Sequence, residues 1–124
     1  MNHLIHKGLS ALLGMGLAST ALALDCAQTL NQRELNQCAH QAFEAADRSL
    51  NQAYRAHRAT LDAPRRAQLT QAQRAWLKFR DLSCQYEADF YAGGSMAPMV
   101  YSGCLTNQTQ KRLKDLTDYQ GYAN

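Results

Sequence analysis

The chain has 124 residues, 46% of them hydrophobic and 19% charged, which is enough for one ordinary globular domain and too few for a multidomain machine. Thirteen Lys and Arg stand against ten Asp and Glu, a mild formal charge of +3. Arg65-Arg66 and Lys111-Arg112 are the only basic doublets, so composition argues against a polybasic nucleic-acid surface.

Residues 1–23 have the order of a secretory leader. Lys7 supplies the charge, Leu9 to Leu17 the apolar run, and Ala21-Leu22-Ala23 a small-residue cleavage site. The run is shorter than the roughly 20 residues that cross a bilayer, and nothing later replaces it, so no transmembrane segment is expected. Cys26 lies just beyond, but Asp25 precedes it where a lipid-acceptor cysteine normally follows a small residue. Ordinary cleavage after Ala23 is therefore expected, leaving residues 24–124 as a single periplasmic or secreted domain. Removing Lys7 lowers the charge to +2.

All four cysteines, Cys26, Cys38, Cys84 and Cys104, fall after the leader. An even count in a small exported chain implies two disulfides, with three possible connectivities. The metal alternative is weaker: there is no C-x-x-C pair, and the 17-residue spacing of His40 and His57 places them on different helix faces. No metal or cofactor is expected.

The patterning beyond the leader is helical, without an alternating β-branched run or a hairpin signal. A first helix is expected from Asn31 as its cap, with Glu34 at the third position and Leu30 stapled to Leu35. Its apolar stripe runs through Leu35, Cys38, Ala42, Phe43, Ala46, Leu50, Ala53, Tyr54 and His57. Asp62-Ala63-Pro64 ends that helix and begins a second, which should run to about Ala92. Leu69, Ala72, Trp76, Phe79, Ser83 and Phe90 are its inward candidates, and Gly93-Gly94 its terminator. Ser95 can cap a third helix through Pro98, Met99, Val100, Cys104, Leu105, Leu113 and Leu116, expected to fray near Gly121.

This order predicts an all-α fold, a small antiparallel three-helix bundle stapled by two disulfides. Cys84 and Cys104 are each ten residues from Gly94, so a hairpin turning there sets them level and favours Cys84–Cys104. Cys26 and Cys38 would lie about 18 Å apart on one continuous helix, too far to bond. With a helix start near Asn31, the preceding segment can fold back to make Cys26–Cys38.

Nothing in the sequence demands catalysis. Glu87 and Asp89, or Arg80 beside Asp81, do not form a converging acid/base pair, because positions one or two apart face different sides of a helix. Arg80 and Asp81 read better as an ion-pair network. The nucleophile, metalloprotease and phosphate-loop motifs are absent, and disulfides would consume every thiol. A non-enzymatic role is expected. Two surfaces invite a partner instead. One is the uncharged turn of Gly93, Gly94, Ser95, Met96, Pro98 and Met99, whose methionines offer adaptable apolar contact. The other is the basic end of Arg55, Arg58, Arg65 and Arg66, suited to an anionic glycan, lipid head group or protein.

The run Ala72-Gln73-Arg74-Ala75-Trp76-Leu77-Lys78-Phe79-Arg80-Asp81 with Cys84, then Gly93-Gly94-Ser95, Cys104-Leu105 and Arg112, resembles the lysozyme inhibitor LprI-like N-terminal domain family. Cys38, Ala46-Asp47, Leu50-Asn51 and Tyr54 match the same pattern upstream. The resemblance implies an exported, disulfide-bonded helical domain with Trp76, Phe79, Arg80 and Asp81 as its scaffold motif, and for some relatives inhibition of lysozyme. The corresponding expectation is a protein partner, lysozyme or another cell-wall hydrolase, with the Gly93 to Met99 turn blocking its cleft. The alternative is an envelope binding module that uses the arginine end and has no enzyme target. A small-molecule binder would need a cavity in the bundle. Sequence leaves the oligomeric state open.

Overall fold

The computed structural model describes residues 24–122; the expected leader lies outside the described residues. Three helices, α1 (Gln32–Ala59), α2 (Ala63–Asp89) and α3 (Ala97–Tyr122), run up, down and up, with no strand among the described residues. At 1.5 Å per residue the 28 residues of α1 span about 42 Å. α3 packs along both other helices, whereas α1 and α2 approach each other chiefly through long side chains.

Local chemistry accounts for the helix boundaries. Asn31 caps α1, its side chain accepting from the backbone N–H groups of Arg33 and Glu34. The Glu34 carboxylate accepts from the Thr29 hydroxyl. Leu30 is 94% exposed, so the expected staple to Leu35 is not made. The chain before Asn31 is held by Cys26–Cys38 instead, with Cα atoms 5.7 Å apart. At the far end Asp62 caps α2 by accepting from Arg65 N–H at 2.9 Å, and Pro64 occupies the first turn, where a missing N–H costs nothing.

The second connection departs from expectation. α2 ends at Asp89, three residues early, and tight turns of Tyr91 N–H to Ala88 O and Ala92 N–H to Asp89 O carry the chain to Gly93. Gly93 takes φ of +81°, a conformation that L side chains rarely adopt. Ser95 does not cap α3. The helix starts at Ala97, Met96 O accepts from Val100 N–H, and the Ser95 carbonyl accepts from the Asn36 side chain of α1 at 2.9 Å.

The apolar core has two parts. Leu50, Leu69 and Leu116 form one, joined by Ala53, Tyr54, Leu61, Trp76 and Leu113. The buried Cys84–Cys104 bridge, Cα atoms 5.4 Å apart, forms the other with Leu105, Phe43 and Tyr101. Both predicted disulfides are therefore present.

The inward face of α2 is rotated from the expected one. Leu69, Gln73, Arg80, Cys84 and Ala88 are buried, while Phe79 and Phe90 are 59% and 73% exposed and Ala72 also faces outward. Ala42 of α1 is likewise exposed. Between the apolar parts lies a layer of Gln73, Arg80, Thr109 and Arg112. Arg80 Nη1 reaches Asp47 at 3.4 Å and Thr109 Oγ1 at 3.3 Å, and its Nε donates to Asp81 at 2.9 Å. Arg112 Nε donates to Gln73 Oε1 at 2.9 Å. These polar groups are buried because each guanidinium has acceptors to replace water.

Candidate functional site

The up-down-up order brings the glycine turn beside the first residues of α1 and sends the arginine cluster to the opposite end. The turn is fixed by side chains of another helix: Asn36 donates to Ser95 O, and Gln32 Nε2 lies 3.6 Å from Met99 Sδ. Met96 and Met99 are half-buried, while Gly93, Gly94, Ser95 and Pro98 are exposed. The methionines thus pack partly onto the bundle end and leave a glycine, serine and proline rim outside. Beside the rim, between the end of α2 and the start of α3, is a shallow groove of about 400 Å³ lined by Glu87, Phe90, Tyr91, Val100 and Asn107.

Charge divides the bundle sharply. From the glycine turn to the level of Cys84–Cys104, residues 24–42 and 84–104 carry four carboxylates, Asp25, Glu34, Glu87 and Asp89, and one guanidinium, Arg33. The remaining described residues hold eleven Lys and Arg against six Asp and Glu. A small net positive charge therefore conceals an acidic end bearing the turn and groove.

Arg55 and Arg58 lie near the end of α1, and Arg65 and Arg66 in the first turn of α2. Arg58 Nε contacts Thr70 Oγ1 at 3.4 Å. A cleft of about 530 Å³ opens here, lined by His57, Leu61, Arg65, Leu69, Tyr119 and Tyr122. Sequence reasoning missed it because Tyr119 and Tyr122 come from the end of α3 and meet α1 and α2 only in the folded bundle. Nearby on α3, a hydrogen bond and the charge of the Asp118 carboxylate raise the pKa of Lys114, which is fully exposed.

Of the four motif residues, Trp76, Arg80 and Asp81 meet in one place and Phe79 does not join them. Arg80 lies over the rings of Trp76 and Phe43, at 5.2 Å and 5.1 Å from their centroids. Arg112 reaches Trp76 at 5.8 Å and Tyr119 at 5.9 Å. The motif holds three helices together through alternating cations and rings. Sequence reasoning missed the parts of Gln73, Thr109 and Arg112, although the seven-residue step from Gln73 to Arg80 was a usable signal.

Residues 25–116 match the family model described as lysozyme inhibitor LprI. This chain belongs to the LprI lysozyme inhibitor family. It is also 37% identical over 107 residues to the uncharacterized protein R02472 of Rhizobium meliloti (strain 1021), a match covering 76% of this chain and 77% of that protein. No solved structure matches. The match to the LprI family model takes in all of α1 and α2, the glycine turn and α3 as far as Leu116, so it includes both disulfides and the buried polar layer. Among the described residues no group of three or more His, Cys, Asp or Glu is placed to hold a metal ion, and no helix is long and apolar enough to cross a membrane.

Proposed function

We propose that this protein is an exported, non-enzymatic inhibitor of lysozyme or a related cell-wall glycan hydrolase, acting in the periplasm or medium by covering the substrate cleft. The charge division carries this reading. Lysozymes of the common animal type are strongly basic, and an inhibitor of net positive charge gains no attraction to them unless its binding end is acidic. Glu87 and Asp89 beside the glycine turn supply that sign locally. The turn is held by α1 before any partner arrives, so little ordering entropy is lost on binding. Its rim excludes substrate sterically and supplies no chemistry.

The test is a cell-wall clearing assay against a common-type lysozyme. It uses the full chain expressed with its own leader and purified oxidised, with a reduced and alkylated sample as control. Saturable inhibition near stoichiometric concentration, lost on reduction and weakened by Ser95→Arg, is the expected result. Absence of inhibition at large molar excess removes this lysozyme as the target. A second reading, an envelope module for anionic glycan or lipid, draws on the clustering of Arg58, Arg65 and Arg66 beside the 530 Å³ cleft. Charge reversal of these three abolishes binding under that reading and leaves inhibition unchanged under the first.

A further inference from the structure

α2 has two apolar faces, and the bundle uses only one. The outer face carries Ala75, Phe79, Leu82, Tyr86 and Phe90, spaced four, three, four and four residues apart, which sets them in one line along the helix. Phe79, Leu82, Tyr86 and Phe90 are 59%, 62%, 71% and 73% exposed. Tyr86 and Phe90 meet edge to face at 5.3 Å. Single exposed apolar residues are ordinary, but a continuous row is not. Large side chains of this kind bury roughly 150–250 Å² when fully covered, so the row leaves on the order of 500 Å² open.

The charges along one edge of the row identify its occupant. Arg74 and Lys78 flank its first half, and Asp89 flanks the same edge of its second half. Neither Arg74 nor Lys78 forms an ion pair within the described chain. In a twofold parallel pair this edge of one helix meets the opposite edge of its partner, which offers Lys78 no acidic residue at its own level. An antiparallel twofold pair meets along this same edge, and with its axis between Leu82 and Ser83 each Lys78 lies within about 3 Å, along the helix, of the level of the other copy's Asp89, a favourable pairing that symmetry repeats. In the same register Phe79 faces Tyr86, and the small Ala75 faces the large Phe90. We infer that the outer face of α2 binds a second copy of this chain, antiparallel, through Phe79, Leu82 and Tyr86 with Lys78–Asp89 pairs at its edge. The two copies together cover roughly 1,000 Å², near the lower limit for a specific interface, so the dimer is reversible.

Sedimentation of the oxidised, exported protein from about 1 µM to about 1 mM is expected to show monomer passing to dimer. Leu82→Glu, at a position 62% exposed in the monomer, keeps the helical spectrum and remains monomeric throughout. Lys78→Asp and Asp89→Lys each weaken the dimer by about tenfold or more, and the double variant restores it. Zero-length carbodiimide coupling adds an orientation test. Lys78 and Asp89 of one helix are about 16 Å apart, so an amide between them forms only across two copies. A protein that is monomeric at about 1 mM, a dimer that survives Leu82→Glu, or a double swap that fails to restore association overturns the inference. None of these measurements involves a hydrolase, so inhibition and self-association fail or stand separately.

Discussion

The Arg80 guanidinium lies 5.2 Å from the centre of the Trp76 indole while its nitrogens contact Asp47, Asp81 and Thr109, so one buried cation ties α2 to both other helices. Removing the cation and removing its anions have different costs. Asp47 and Asp81 have side chains 35% and 52% exposed and regain water when Arg80 is lost, whereas the guanidinium, 8% exposed, does not when they are lost. Asp47→Asn with Asp81→Asn is expected to destabilise by about 3 kcal/mol, and Arg80→Met by about half as much. Urea unfolding of the two variants at neutral pH measures the difference.

The two disulfides should also separate. Each closes a short loop, 12 residues for Cys26–Cys38 and 20 for Cys84–Cys104, worth about 3 kcal/mol in the chain-entropy estimate. Without Cys26–Cys38, the segment before Asn31 can detach while the three helices stay packed, so the folded state recovers part of that entropy. Cys84–Cys104 lies within a core cluster and allows no such release. Cys84→Ala with Cys104→Ala is expected to cost about 3 kcal/mol or more. Cys26→Ala with Cys38→Ala should cost about 1 kcal/mol and raise amide exchange mainly before Asn31.

The sequence was most informative where one local signal sufficed. Asn31 and Asp62 cap as their side chains suggest, Gly93 turns the chain, and equal spacing from Gly94 pairs Cys84 with Cys104. It misled on α2, where apolar residues run around the helix and periodicity alone cannot choose the buried side. The bundle chose Arg80 over Phe79 because acceptors from α1 and α3 converge on that side, a tertiary fact invisible along one helix. Ser95 looked like a cap, but α3 begins at Ala97, so Met96 holds the cap position and Ser95 lies one residue before it. Among the site features, the arginine cluster and turn were legible from position. The aromatic cleft depended on residues more than 50 positions apart, Leu69 and Tyr122 among them.

The rotated face of α2 can be checked without a structure. Leu116 is fully buried, and truncation to Ala should cost about 3 kcal/mol through lost burial and the cavity left behind. Phe79→Ser removes a larger side chain but one already 59% exposed, and should change stability by no more than about 0.5 kcal/mol. If Phe79→Ser proves as damaging as Leu116→Ala in thermal melts of dilute protein, the outward placement of Phe79 is wrong.

Gly93 connects the fold to the proposed inhibitory end. At φ of +81° a side chain is strained even though an added Cβ meets nothing within 4 Å, so the cost of substitution is conformational and not steric. Gly93→Ala should destabilise by about 1 kcal/mol, and Gly93→Asn by less, because Asn tolerates the left-handed region better than other residues. Their effect on inhibition should follow the same order. A turn relaxed away from this conformation shifts Ser95 and loosens its bond to Asn36, and binding must then restore the order that was formerly built in. Clearing-assay titrations at a temperature where all variants remain folded isolate this effect. Weaker inhibition by Gly93→Ala, with Gly93→Asn between it and the parent, supports a preorganised turn; equal inhibition by all three places the contact surface elsewhere on the bundle.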